Sequence, residues 1–115
     1  MNRKSDDSQR AALSGSLNRL LRPGLLSDAD EKLLRSLFET LYPQSISRLR
    51  ERCPELTKSD ELFCMLIILR QSTSSIAIAL GILRASVNTA RYRLRRKFNL
   101  PPDVDLDTFL ISGEF

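Results

Sequence analysis

The chain has 115 residues, of which 42% are hydrophobic and 28% are charged, so it has room for one modest domain with a real core. The longest apolar run, residues 62–69, is far shorter than the roughly 20 residues of a membrane-spanning helix. No apolar segment follows the polar N-terminus as in a secretory signal. We therefore expect a cytoplasmic protein that is neither membrane-bound nor disordered.

The residue types that the sequence lacks argue against several classes of enzyme and metal-binding protein. The chain has no histidine, which removes the commonest general base and any Ser-His-Asp arrangement. Its two cysteines, Cys53 and Cys64, form no metal-binding pair, and reduced thiols are the plain expectation. The four glycines are scattered and form no phosphate-binding loop. We predict a protein that is not an enzyme and that holds no metal or cofactor.

Charge is distributed unevenly along the chain. The total is 18 basic and 14 acidic residues, yet no Asp or Glu occurs between Leu62 and Pro102. A solvated surface normally mixes both signs. An acid-free stretch of this length indicates an anionic partner, nucleic acid first and an acidic membrane surface second. The basic residues of this stretch are Arg70, Arg84, Arg91, Arg93, Arg95, Arg96 and Lys97.

Apolar spacing predicts helices in the first part of the chain. A short amphipathic helix over residues 13–21 ends at Pro23. Ser27 is the predicted N-cap of the next helix, whose first turn is acidic and suits the helix dipole. Pro43 closes that helix. A third short helix precedes Pro54, and residues 1–55 form a helical lead-in that is either a dimerisation arm or the remnant of a linker.

The segment from residue 57 onwards predicts a central helix. Thr57 and Asp60 have the spacing of a capping box, with Asp in place of the usual Glu or Gln. The following run, residues 62–69, is apolar on all sides, and periodicity alone does not distinguish a buried strand from a buried helix. The cap and the lack of a hairpin turn favour the helix.

Residues 73–92 have the spacing of a helix-turn-helix. Ser74 and Ser75 are candidate caps of a short helix, and Gly81 follows it where a left-handed residue is needed. The next helix opens at 84, 85 or 86. A plain helical hairpin shows similar apolar spacing. The basic residues of the second helix are what favour a helix-turn-helix over such a hairpin. The residues expected to fill the space between the helices are Ile76, Leu80, Ile82 and Val87, whereas Ala77 has to be small because the two helices cross closely there.

The second helix, residues 85–98, is amphipathic. At about 100° per residue, one side carries Val87, Ala90, Leu94 and Phe98. The opposite side carries Asn88, Thr89, Tyr92, Arg95 and Arg96. Such a helix packs by one side and enters a DNA major groove by the other.

The stretch "LTKSDELFCMLIILRQSTSSIAIALGILRASVNTARYRLRRKFNL", residues 56–100, resembles the LuxR-type (GerE-like) DNA-binding domain of bacterial transcription regulators. The matching marks are "LT" before the first helix, "IAIALGI" through the turn, "SV" at the start of the second helix and "LRRKF" at its end. Arg70 and Gln71 stand where the family often has Gly, and Ser75 where it usually has Glu.

The resemblance implies functional residues. Base-reading positions fall on Asn88, Thr89 and Tyr92. Phosphate contacts are expected in and around the basic run, at Thr73, Ser74, Ser86, Arg91, Arg93, Arg95, Arg96 and Lys97. The family also implies a fourth helix that often dimerises, and here Asp105 is its predicted cap after a proline break. Its apolar face would hold the dimer contact, with Leu106, Phe109 and Leu110.

These observations together predict an all-α protein with a four-helix LuxR-type core, residues 56–115, preceded by N-terminal helices. The expected function is sequence-specific binding of double-stranded DNA by a transcription regulator, as a weak homodimer on DNA. RNA polymerase and an upstream sensor are further candidate partners. The alternatives are a sigma-type promoter-recognition module and a helical protein-interaction domain without DNA binding.

Overall fold

The computed structural model describes residues 12, 13 and 15–115, which are helical or loop and contain no strand. The predicted all-α class is confirmed for this part, whereas residues 1–11 and 14 of the predicted lead-in lie outside it. Residues 15–20 are helical. The helices that follow are α1 (Asp28–Leu41), α2 (Ser45–Arg52), α3 (Lys58–Ile68), α4 (Thr73–Leu80), α5 (Arg84–Lys97) and α6 (Leu106–Ser112). Among the described helices, none combines the length and apolar character that crossing a membrane requires.

Helix α3 lies at the centre of the molecule. Every residue from Asp60 to Ile68 is buried, which confirms a buried helix rather than a strand. The predicted capping box is present, since the Thr57 hydroxyl accepts from the Asp60 amide and the Asp60 carboxylate accepts from the Thr57 amide, each at 3.1 Å. A helix that is apolar on all sides needs neighbours on all sides, and the other helices pack around it.

A single hydrophobic core crosses the predicted boundary between residues 55 and 56. It contains Leu34 and Phe38 of α1 and Leu49 of α2, together with Leu94 and Phe98 at the end of α5. Each of these side chains is at most 1% exposed. Burying one such side chain contributes about 1.5–3 kcal/mol. Helices α1 and α2 therefore belong to the same folded unit as α3 to α6.

Two adjacent carboxylates in the first turn of α3 bind three other helices. Glu61, which is 1% exposed, accepts from Arg35 Nη1 of α1 at 2.9 Å and forms an ion pair with Arg50 of α2. Asp60 accepts from Lys97 Nζ of α5 at 2.7 Å. The sequence pattern predicted only the capping role of Asp60 and did not single out Glu61.

Four helices end in the same way, with a left-handed residue after the last turn. These residues are Arg70 (φ 63°), Gly81 (φ 67°), Asn99 (φ 53°) and Gly113 (φ 70°). At Gly81 the next amide, of Ile82, donates to the Ala77 carbonyl at 3.0 Å and closes the turn. The prediction for Gly81 is confirmed. Arg70 adopts the same conformation at a position where glycine would be unstrained.

Glu61→Gln is expected to lower the free energy of unfolding by about 1–3 kcal/mol, because two guanidinium groups lose the carboxylate that they share. Urea unfolding measures the change. Glu51→Gln, which alters an exposed carboxylate on α2, is the control and should cost less than about 0.5 kcal/mol. Equal stabilities of the two variants would contradict the role assigned to Glu61.

Gly81→Ala is expected to lower the free energy of unfolding by about 1–3 kcal/mol, because the positive φ disfavours a side chain. An added Cβ would also lie 2.8 Å from Leu25 Cδ1. In a Leu25→Ala background that clash disappears, so the cost should fall without vanishing. Urea unfolding of the four proteins gives the coupling, and strictly additive costs would show that Leu25 does not restrict the turn.

Candidate nucleic-acid interface

Helices α4 and α5 are joined by a three-residue turn, residues 81–83. Helix α4 begins earlier than predicted, because Ser72 rather than Ser74 or Ser75 is its N-cap, and the Ser72 hydroxyl accepts from the Ser75 amide at 3.1 Å. Helix α5 begins at Arg84, the first of the three predicted starts. Ile82 is 40% exposed, so the prediction that it fills the space between the helices was wrong.

Helix α5 has two distinct faces. Val87 and Leu94 are fully buried against the core. Asn88, Thr89 and Tyr92 are exposed on the other side, with Tyr92 60% exposed. The structure thus brings the three predicted base-reading residues together on one accessible face, hereafter the α5 face.

Arg91 and Arg95 are used inside the protein. Arg91 donates to the Asp107 carboxylate of α6 at 3.0 Å and to the Thr73 hydroxyl at 2.7 Å. Arg95 donates to the Val104 carbonyl at 2.8 Å and also to the carbonyl of Pro101. These bonds fasten α5 to α4, to α6 and to the loop before α6. The phosphate contacts predicted for Arg91, Arg95 and Thr73 stay predictions, while the structure shows the polar groups of these residues bonded within the protein.

Lys97 and Arg93 both approach the Asp60 carboxylate, but only Lys97 forms a hydrogen bond with it. Lys97 Nζ lies 2.7 Å from the carboxylate and its side chain is 26% exposed, whereas Arg93 Nη2 lies 3.7 Å away and its side chain is 60% exposed. Burial raises the pKa of Asp60, but hydrogen bonds from Lys97 and Thr57 and the charge of Lys97 outweigh burial and hold the pKa below its usual value. The charge of Lys97 is therefore compensated internally, and its phosphate contact stays a prediction.

Positive charge on the α5 face comes from the arginines that project away from the core. Arg96 is exposed, and its guanidinium carbon lies 5.8 Å from the centre of the Tyr92 ring. Arg84 is exposed at the first turn. Within the described part of the chain neither forms an ion pair. The predicted phosphate-binding residues Ser74 and Ser86 are also exposed.

The predicted dimer contact faces inward. Leu106 and Leu110 are 2% and 1% exposed and belong to the core of the same chain, so neither offers a surface to a second copy. Phe109 is partly buried, with its ring centre 5.2 Å from that of Phe98 and 5.7 Å from that of Phe115. The proline break does not hold α6 apart, because its apolar face covers the core beside α3 and α5.

Leu83 is an accessible residue that the sequence interpretation missed. It is the N-cap of α5, makes no side-chain capping bond and is 75% exposed. It lines a shallow cavity of about 690 Å³ with Ser74, Ile78, Ile82, Arg84 and Ala85. The signal in the sequence was an apolar residue directly before a helix, where Ser, Thr, Asp or Asn is preferred.

Both cysteines are structural. Cys53 and Cys64 are free and buried, and burial raises the pKa of the Cys64 thiol. Among residues 12, 13 and 15–115, no group of three or more His, Cys, Asp or Glu side chains is placed to hold a metal ion.

Comparisons with protein-family models, with curated proteins and with solved structures gave no match. The likeness to LuxR-type domains consequently stays a resemblance in motifs. The function has to be argued from the geometry of α5 and its surroundings.

Proposed function

We propose that the protein binds double-stranded DNA sequence-specifically and regulates transcription, with α5 entering the major groove. The observation that carries the proposal is the division of this helix into a buried apolar side and an exposed side with Asn88, Thr89 and Tyr92. The major groove is about 12 Å wide and admits an α-helix. The motif resemblance to LuxR-type domains supports the same function, with α3 to α6 as the four-helix core.

The exposed residues divide into two roles under this proposal. Asn88 has an amide that can bond an adenine edge bidentately, and Thr89 and Tyr92 lie beside it to read neighbouring bases. Arg93 and Arg96 stand near the end of the helix, where contacts to phosphate fix the position of the protein without reading sequence. Ser74 and Ser86 are further phosphate-binding candidates.

The internally bonded residues have a third role, which is to orient the helix. Arg91 and Arg95 hold the side of α5 that adjoins α6, and Lys97 holds its last turn against α3. A reading helix must approach the bases in one orientation, because hydrogen bonds to base edges tolerate little displacement. Three of the seven basic residues between Leu62 and Pro102 serve this purpose.

Pairing of two copies on DNA remains part of the proposal. A small module buries only about 600–1,000 Å² on DNA, and two modules on half-sites about one helical turn apart overcome this limit. Because Leu106 and Leu110 are buried, the contact between copies has to use another surface.

Binding-site selection with the full chain, followed by titration of the selected duplex at several salt concentrations, tests the function. A regulator should enrich one sequence and bind it with affinity that falls as salt rises. A helical protein-interaction domain would show no salt-dependent affinity for DNA. A sigma-type module would bind its sequence only together with RNA polymerase.

Arg96→Ala is expected to reduce the slope of log affinity against log salt by about 0.9, because one phosphate contact is lost. Arg95→Ala removes the same charge one residue away and is the matched control. It should lower the melting temperature, because the bonds to the loop before α6 are lost, and leave the salt slope almost unchanged. Identical slopes for the two variants would contradict the separation of their roles.

Asn88→Ala is expected to relax the base preference at one operator position, because a bidentate contact to adenine gives about 1–3 kcal/mol of discrimination. Competition between duplexes that differ at single positions measures this. A uniform loss of affinity for every sequence would show that Asn88 contacts the backbone instead of a base.

A further inference from the structure

Leucine at position 83 contributes less to the stability of the fold than a capping residue would. Its backbone (φ −73°, ψ 151°) is extended, as in a normal N-cap, yet its side chain leaves the first amides of α5 without a capping bond. Serine or threonine there would supply that bond. The leucine also covers little of the core, because it is the most exposed of the large apolar side chains in the described part of the chain.

The cavity beside Leu83 is lined mostly by apolar groups. Ile78 and Ile82 form its wall and are 48% and 40% exposed. Arg84 is the charged residue in the lining, which includes no acidic side chain. An apolar surface with a cationic rim fits an occupant that presents a small apolar group next to negative charge.

The cavity adjoins the α5 face. Ala85 belongs to its lining, and the Ala85 carbonyl accepts a hydrogen bond from the Thr89 hydroxyl at 3.0 Å. Asn88 follows Ala85 by three residues and therefore lies on the same side of the helix. A duplex whose bases meet Asn88 and Thr89 brings its next base step to the N-terminal end of α5, where Leu83 stands.

We propose that Leu83 and the cavity beside it bind the 5-methyl group of thymine. This inference rests on the proposed function and names the bases that the same interface selects. The thymine methyl is the apolar group that a base pair presents in the major groove, and the phosphates next to it match the rim at Arg84. Leu83 is thus a specificity-determining residue that selects thymine at the edge of the operator.

Replacing each thymine of the selected operator in turn by deoxyuridine removes one methyl group and leaves every hydrogen-bonding group in place. The wild-type chain should lose about three- to fivefold in affinity at one or two positions, as expected for one methyl group that is no longer buried. Leu83→Ser should bind thymine and uracil equally at those positions. Because serine restores a cap, this variant should also melt at a higher temperature, so misfolding would not explain the loss.

Leu33→Ala, which alters a leucine that is 50% exposed on α1, is the control and should discriminate as the wild type does. The proposal is overturned if the wild type ignores every substitution, or if Leu83→Ser still prefers thymine. Either result, with specific binding intact, removes the thymine contact and leaves the proposed function standing. Absence of any sequence-specific binding by the wild type would remove both the inference and the proposed function.

Discussion

The paired carboxylates in the first turn of α3 are the constraint on which the rest of the structure depends. A buried carboxylate is costly unless its charge is matched and its hydrogen bonds are made. Glu61 is matched by Arg35 of α1 and Arg50 of α2, and Asp60 by Lys97 of α5. The central helix can be buried only when these three neighbours are in place. This requirement links the N-terminal helices to the orientation of α5.

Because charged groups inside the protein need partners, the basic residues of α5 do not form a uniformly charged surface. Lys97 compensates Asp60, while Arg91 and Arg95 bind Asp107 and the carbonyls of the loop before α6. Arg96 projects to solvent beside Tyr92. Within α5, Arg84 and Arg96 are therefore the exposed basic residues that form no ion pair in the described part of the chain. Net charge along the chain predicts an anionic partner, and the fold decides which basic side chains are exposed to bind one.

Arg70 and Leu83 both depart from the local rules of helix formation, and the two departures differ in kind. Arg70 takes a left-handed conformation that glycine would adopt without strain, and nothing in the structure explains the arginine. Leu83 occupies an N-cap without capping and stays exposed. Departures from local consistency are concentrated at functional sites in natural proteins. The proposed thymine contact would account for the departure at Leu83.

The sequence by itself determined the helices, the capping box at Thr57, the left-handed turn at Gly81 and the two-sided character of α5. These features depend on groups within about five residues of one another, so composition and spacing suffice. Only the tertiary structure decided that Leu106 packs inward and that Arg95 turns to the loop before α6. It also decided the pairing of Asp60 with Lys97, 37 residues apart. Long charged side chains choose partners across elements, and their choice follows from how the helices pack.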